Sequence, residues 1–334
     1  MNKPRKNHLD LLRVLAAMAV LIFHVVGSSA NNDPNASVAL RDMAAAFNAM
    51  LQWHVPVFFT ITGHLWLSSE KECTFKKVFS NIKRFGLVLF TFGLAYAIMA
   101  RVFTTKTVSI ACISSAFLDV LNGSLWDHMW FVYSIIGVYL VLPVLKPFFD
   151  HSSLKSISGF AGLLFVFTIL LPIVKKEFNY SFPVSLPIAA PMFYICFGGM
   201  VSKWNPTCTK TGIVAIVVFG CSMIAALLVN LYTTLEQITP LLNCISASSL
   251  FLSATVFMHH IKENKLVRSI SDCSFGIYLI HPFFINLMIK LFHIYPMRYV
   301  VVLAVPVACI VIAALSFVST YILRKVRWIK EYIL

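Results

Sequence analysis

The sequence predicts an all-α polytopic membrane protein of about ten transmembrane helices with both termini cytoplasmic. Three observations predict it. Of the 334 residues, 59% are hydrophobic and only 12% charged, with a mean hydropathy of +0.83, whereas soluble domains carry about 25% charged residues. The apolar residues gather into stretches long enough to cross hydrocarbon, which takes roughly 20 residues. The net charge of +14 sits between those stretches and not in a basic tract, which argues against nucleic-acid binding and for a positive-inside bias.

The first span, Leu9 to Ala30, organises the chain. It follows Lys3, Arg5 and Lys6 and ends in Ser28-Ser29-Ala30, the outline of a secretory signal. Its length, Arg13 and the spans that follow favour a retained helix. It carries Asp10, Arg13 and His24. At about 100° per residue, positions eleven apart fall within about 20° of one face and about 16 Å apart along the axis, so Arg13 and His24 share a stripe. Asp10 joins that stripe three residues before Arg13. Taken singly, Arg13 could be a snorkelling anchor and His24 a packing residue. A stripe of this kind has no use in a helix facing only lipid.

The polar loop Asn31 to Asp42 leads to a second span, Met43 to Leu67, and Ser68 to Arg84 carries too many lysines and arginines for hydrocarbon. A third span covers Phe85 to Phe103. Ser109 to Leu121 is amphipathic and stopped by Asn122-Gly123, as expected of a helix along the membrane face. Further spans are expected at Met129 to Phe149, Ile157 to Val174, Pro187 to Val201, Gly212 to Tyr232, Ile238 to His260, Cys273 to Phe292 and Tyr299 to Leu323. With ten spans, nineteen lysines and arginines fall on the side of the termini and six on the other, so the termini are placed in the cytoplasm. No repeat, linker or soluble second domain interrupts residues 1–334, which read as a single domain.

Ionisable groups inside spans mark cavities. His54 precedes Pro56 in the second span, His281 precedes Pro282 in the ninth, and His128 and Trp130 open the fourth. Each could be structural, but together with His24 they suggest one polar cavity. The thirteen acidic residues fall in loops or at span edges, which weakens a transporter or flippase for a polar or lipid-linked glycan as the alternative function. Eight cysteines without CxxC spacing and histidines without ligand spacing give no reason to expect a disulfide framework or a metal.

The Arg-x10-His register preceded by Asp10 resembles the first helix of the acyltransferase-3 family of integral membrane acyltransferases. Val55-Pro56-Val57-Phe58-Phe59-Thr60-Ile61-Thr62-Gly63 is similar to that family's Pro-x-Phe-Phe-x-x-Ser-Gly stretch, with Thr62 for Ser. Trp130-Phe131-Val132-Tyr133 with Tyr139 and Pro143 resembles its Trp-Phe span, and Ser274 to Pro282 resembles its late Ser-x-x-x-Tyr-Leu-x-His-Pro segment. Asn81-Ile82-Lys83-Arg84 stands where many members carry Arg-x-x-Arg. The resemblance implies transfer of an acyl group, most often acetyl from acetyl-CoA, to a hydroxyl of a cell-envelope carbohydrate or lipid-linked glycan at a bacterial plasma membrane. Arg13, Lys83 and Arg84 would then meet the phosphates of the donor. His24 would be the general base, with Asp10 and Arg13 completing the catalytic set. His54, His128, Trp130 and His281 would hold the acceptor or the oxyanion. The pantetheine arm, about 15 to 20 Å when extended, is comparable to the helical rise between Arg13 and His24.

Overall fold

A computed structural model describes residues 6–107, 109–178, 189–258 and 261–334, and among them there is no strand. Lys3, Arg5, residues 179–186 of the loop expected from Lys175 to Leu186, the expected start of the sixth span at Pro187 and the expected end of the eighth at His260 lie outside the described residues. In chain order the helices are α1 (Asn7–Asn32), α2 (Val38–Leu51), α3 (His54–Leu67), α4 (Phe75–Val88), α5 (Leu94–Thr105), α6 (Ile110–Asn122), α7 (Trp130–His151), α8 (Leu154–Phe165), α9 (Leu171–Phe178), α10 (Pro191–Trp204), α11 (Thr209–Tyr232), α12 (Thr239–Phe257), α13 (Lys265–Asn286), α14 (Val301–Leu323) and α15 (Arg327–Tyr332). The π turns Leu89–Gly93 and Val166–Leu170 join α4 to α5 and α8 to α9 without ending the helical path, and a third, Leu287–Leu291, extends α13.

Among the described residues, eight helices are long and apolar enough to cross a bilayer. They correspond to eight of the ten stretches expected from sequence. The other two fall on shorter helices: Met43–Leu67 is divided into α2 and α3, and α10 stands at the sixth. At 14 residues each, these three helices reach about 21 Å. The break between α2 and α3 has a local cause. A proline inside a helix clashes with the carbonyl four residues earlier, and for Pro56 that residue is Gln52. The chain therefore turns at Gln52 and Trp53 and restarts at His54, with Pro56 in the first turn of α3, where its missing N–H costs nothing. Pro56 thus opens a new helix, whereas Pro282 lies inside the continuous α13.

Caps set other boundaries. Ser37, Thr74, Ser109 and Ser153 accept backbone N–H groups at the starts of α2, α4, α6 and α8, and Asn264 does so for α13. The amphipathic stretch expected at Ser109 to Leu121 is α6, closed by Gly123 at φ +71°, a conformation glycine adopts without strain.

The chain divides into two compact units, residues 1–68 with 153–323, and residues 69–152 with 324–334. In the first unit, α1 is central and packs against α2, α3, α13 and α14. Its Leu21, Val25, Val26 and Ala30 join Ala44, Ile285, Val305, Cys309 and Ile312 in an apolar core. Opposite that core, α14 exposes Val302, Leu303, Val307 and Ile310, a stripe suited to acyl chains and costly in water. Helices α3 and α10 come together at Gly63 and Gly198, and α11 meets α12 through the Ser222 and Ser246 hydroxyls, 2.7 Å apart. In the second unit, Arg101 donates twice to Asp119 at 2.8 Å, joining α5 to α6, and the Tyr133 hydroxyl of α7 donates to Val120 O at 2.6 Å.

Beyond α1, Asp33 pairs with Arg298, whose Nε donates to Oδ2 at 3.0 Å, while Ser29 Oγ accepts from Met297 N at 2.9 Å. The Arg298 guanidinium hydrogen-bonded to Asp33 is the main cause holding its carboxyl below the ordinary 3.8. A carboxyl depressed by folding stabilises the fold above its unfolded pKa, and that contribution disappears as pH falls through the folded value. Thermal unfolding in detergent should show this part of the stability intact at neutral pH and lost only below about pH 4, and Asp33→Asn should remove it at all pH values. A variant with the acid dependence of the parent would show that the pair contributes nothing.

Candidate active site

The site is built on α1 and completed by α3 and α13. Near the start of α1, Arg13 Nη1 donates to Asp10 Oδ1 at 2.9 Å, and the same oxygen accepts from Ser271 Oγ of α13 at 2.8 Å. Asp10 is 3% exposed, and a buried carboxylate persists only when paired and hydrogen-bonded. The Arg13 side chain remains 27% accessible. Asp10 therefore ties the guanidinium to α13 through Ser271. Ser271 was not anticipated from sequence. Its only signal is that it lies one helical turn before Ser274, which opens the late motif.

Eleven residues on, the partly exposed His24 meets α13. Its ring centroid lies 5.1 Å from that of His281, at a 42° tilt. His281 is 1% exposed, and its Nδ1 is 3.1 Å from Ile277 O. Tyr278 lies behind it, ring to ring at 6.2 Å. Phe23 stands edge-on to both His24 and His54, 5.2 Å from each. His54 is buried, and among the described residues neither ring nitrogen has a hydrogen-bond partner. An imidazole always has a donor or acceptor to satisfy, and leaving one unmade in a buried site costs about 1–3 kcal/mol. A ligand hydroxyl or water at His54 would remove that cost. One turn beyond His24, the space a Cβ would fill at Gly27 is taken by Asn48 Nδ2 of α2, which adds a neutral amide beside the imidazoles.

The structure thus brings together Asp10 with Arg13, and His24 with His281 and, through Phe23, His54. The other four sequence candidates belong to the second unit. Lys83 is exposed, Arg84 Nε donates to Ile333 O at 3.3 Å, and Trp130 is half exposed. His128 is buried edge-on to Tyr96 at 5.3 Å, and Tyr96 stacks on Trp126 at 4.5 Å. At the other end of α1 from His24, the Lys6 amine lies 2.7 Å from His64 Nε2, with the His8 ring 6.3 Å from that of His64. The sequence reading had not singled out this second imidazole pair, although His64 was visible as an ionisable residue in an apolar run. Among the described residues, no group of three His, Cys, Asp or Glu side chains is arranged to hold a metal ion.

A fold that is all-helical among the described residues, with eight helices there long and apolar enough to span a bilayer, defines an integral membrane protein, and the first of those helices carries the Asp10–Arg13 pair and His24. Residues 6–321 match the family described as "Acyltransferase domain", and the chain belongs to that family of membrane acyltransferases. It is 21% identical over 292 residues, 82% of this chain and 79% of the relative, to the Bacillus subtilis (strain 168) protein named "Putative membrane-bound acyltransferase YfiQ". No solved structure matches the chain at a significant level. The family makes the protein an enzyme that moves acyl groups, which entails an acyl donor, an acceptor and a lipid surround.

Proposed function

We propose that the protein transfers an acyl group, acetyl from acetyl-CoA, to a hydroxyl of a cell-envelope carbohydrate or lipid-linked glycan at the bacterial plasma membrane, with His24 as general base. The observation that carries this reading is the pairing of His24 with His281 on the same helix stripe as the carboxylate-fixed Arg13. With the termini in the cytoplasm, Arg13 stands at the inner entrance and meets the polyanionic donor there by charge-assisted hydrogen bonds. The pantetheine arm runs along α1, and the thioester reaches His24 about 16 Å deeper. His24 takes the proton of the acceptor hydroxyl as its oxygen attacks the thioester carbonyl. His54, with two unsatisfied ring nitrogens, binds the acceptor's hydroxyls.

Everted membrane vesicles containing the protein, supplied with acetyl-CoA labelled in the acetyl group, should incorporate label into the envelope glycan fraction. Vesicles lacking the protein should not. Absence of incorporation with acetyl-CoA, or incorporation only from another acyl donor, refutes the donor assignment.

The contribution of Arg13 is tested in the same vesicles. Arg13→Ala alone would take from the buried Asp10 carboxylate its ion-pair partner, a destabilisation of up to about 3–5 kcal/mol. The informative variant is therefore Arg13→Gln combined with Asp10→Asn. It should raise the KM for acetyl-CoA about ten- to hundred-fold, the worth of one charged hydrogen bond. An unchanged KM would make Arg13 a helix anchor.

A further inference from the structure

The turn at Gln52 and Trp53 separates two helices of 14 residues each, α2 and α3. Non-helical backbone at membrane depth is tolerated where protein buries it or where it lines a cavity, and broken helices are recurrent binding places for polar ligands. Buried polar atoms collect at this break. Asn48, Trp53 and His54, with Asn243 of α12, are at least nine-tenths buried. Among the described residues, Asn48 Oδ1, Trp53 Nε1, both His54 ring nitrogens and Asn243 Oδ1 have no hydrogen-bond partner. All four residues belong to the first unit, and their contacts place the break beside the proposed base. The Asn48 amide lies against Gly27 of α1, one turn beyond His24. His54 meets Phe23, which stands edge-on to His24. Asn243 Nδ2 donates to Gln52 Oε1 at 3.5 Å, and Gln52, one turn after Asn48, is exposed. The buried amides therefore stand directly behind a residue that an entering ligand can reach.

The chemistry of these atoms defines what satisfies them. An amide oxygen accepts, an indole N–H donates, and a neutral imidazole does one of each. The break thus offers three acceptors and two donors. A carboxylate or phosphate only accepts and would leave the three acceptors unmet, whereas a hydroxyl both donates and accepts. Residues 43–67 and α12 contain no lysine, arginine, aspartate or glutamate, so these segments supply no counter-charge for an ionised ligand, and an unpaired charge is costly to bury. One buried water serves about three groups, fewer than the five atoms waiting here. We propose that Asn48, Trp53, His54 and Asn243 form the acceptor subsite, and that it holds a neutral sugar through its hydroxyls and excludes an anionic one. The inference rests on the function proposed above, in which an acceptor hydroxyl must come to His24. Asn48 and Asn243 accept from the sugar hydroxyls, Trp53 donates to one, and His54 does both.

The test is ligand binding to the full chain in a sugar-free detergent, read by saturation-transfer NMR and by the rise in unfolding temperature that binding brings. The probes are the methyl pyranosides of glucose, galactose, mannose and N-acetylglucosamine, with methyl glucuronopyranoside as the anionic counterpart. At least one neutral probe should bind saturably, and the glucuronoside should bind about tenfold more weakly than that probe or not at all. Asn48→Leu and Asn243→Leu keep most of the side-chain shape and remove an unsatisfied amide, so both should accumulate like the parent. Each should weaken the neutral probe about three- to tenfold, the worth of one neutral hydrogen bond. No saturable binding by any neutral probe means that water alone fills the break, and it overturns the proposal. Equal or tighter binding of the glucuronoside, or parental affinity in the folded variants, overturns it too. If one variant fails to accumulate the other decides, and if both fail the parent's preference between neutral and anionic probes decides. A parent that binds a neutral probe in this way and transfers no label from acetyl-CoA refutes the proposed reaction and leaves the sugar subsite standing.

Discussion

His24→Ala is expected to lower acyl transfer by about a hundred- to ten-thousand-fold, the range over which a positioned base contributes, and to leave a folded protein in the membrane. The expectation of folding is structural. His24 is partly exposed and stands at the rim of the apolar core formed by Leu21, Val25 and Val26, so truncation removes few packed atoms and should cost about 1 kcal/mol. The expectation of lost activity rests on the two imidazoles against which it is set. His281 is oriented by its own helix, and His54 has no hydrogen-bonding partner among the described residues; without a donor or acceptor at position 24, neither can take the place of the base at that point of the stripe. Label incorporation in everted vesicles measures the loss, and the elution profile in detergent measures the fold. A folded alanine variant with activity within tenfold of the parent would remove His24 from the chemistry.

The second large effect concerns stability. A Cβ placed on Gly63 would lie 2.0 Å from Ile195 O, and one placed on Gly198 would lie 2.0 Å from Thr60 O. Both obstacles are backbone atoms, so no side chain can rotate out of the way, and α3 and α10 would have to separate along their contact. Overpacking of this kind costs about 1–3 kcal/mol and sometimes more. Membrane helices depend on small residues for close approach because lipid supplies no hydrophobic drive to hold them together. Gly63→Ala and Gly198→Ala should each lower the thermal unfolding temperature in detergent by several degrees, and the double variant should fail to accumulate. Gly137→Ala is the control: nothing lies within 4 Å of the added carbon, so its stability should match the parent. Wild-type unfolding temperatures for both α3 and α10 variants would show that the helices do not meet as closely as described.

Much of the architecture was legible because hydrocarbon imposes a length and a composition on whatever crosses it. Eight of the expected stretches correspond to helices of spanning length, and α6 begins and ends where Ser109 and Gly123 said it would. The second stretch was read as a single span, with Pro56 as a kink beside His54, because hydropathy does not register that the clash between Pro56 and the carbonyl of Gln52 divides it into α2 and α3. In the site, the Asp10, Arg13 and His24 stripe was readable from helical periodicity, since all three sit on one helix. Their partners were not readable in the same way. Ser271 and His281 act from α13, more than 240 residues away in sequence, and no local pattern announces a contact of that range.

The sequence by itself determined the class of protein, the helix on which the chemistry is proposed to stand and the register that aligns Arg13 with His24, because those properties depend on side-chain polarity and a fixed rise per residue. Only the tertiary structure decided which imidazole meets His24 and which hydroxyl reaches Asp10 from another helix. Those depend on angstrom distances between helices, which are set by the packing of the whole unit and not by any one segment.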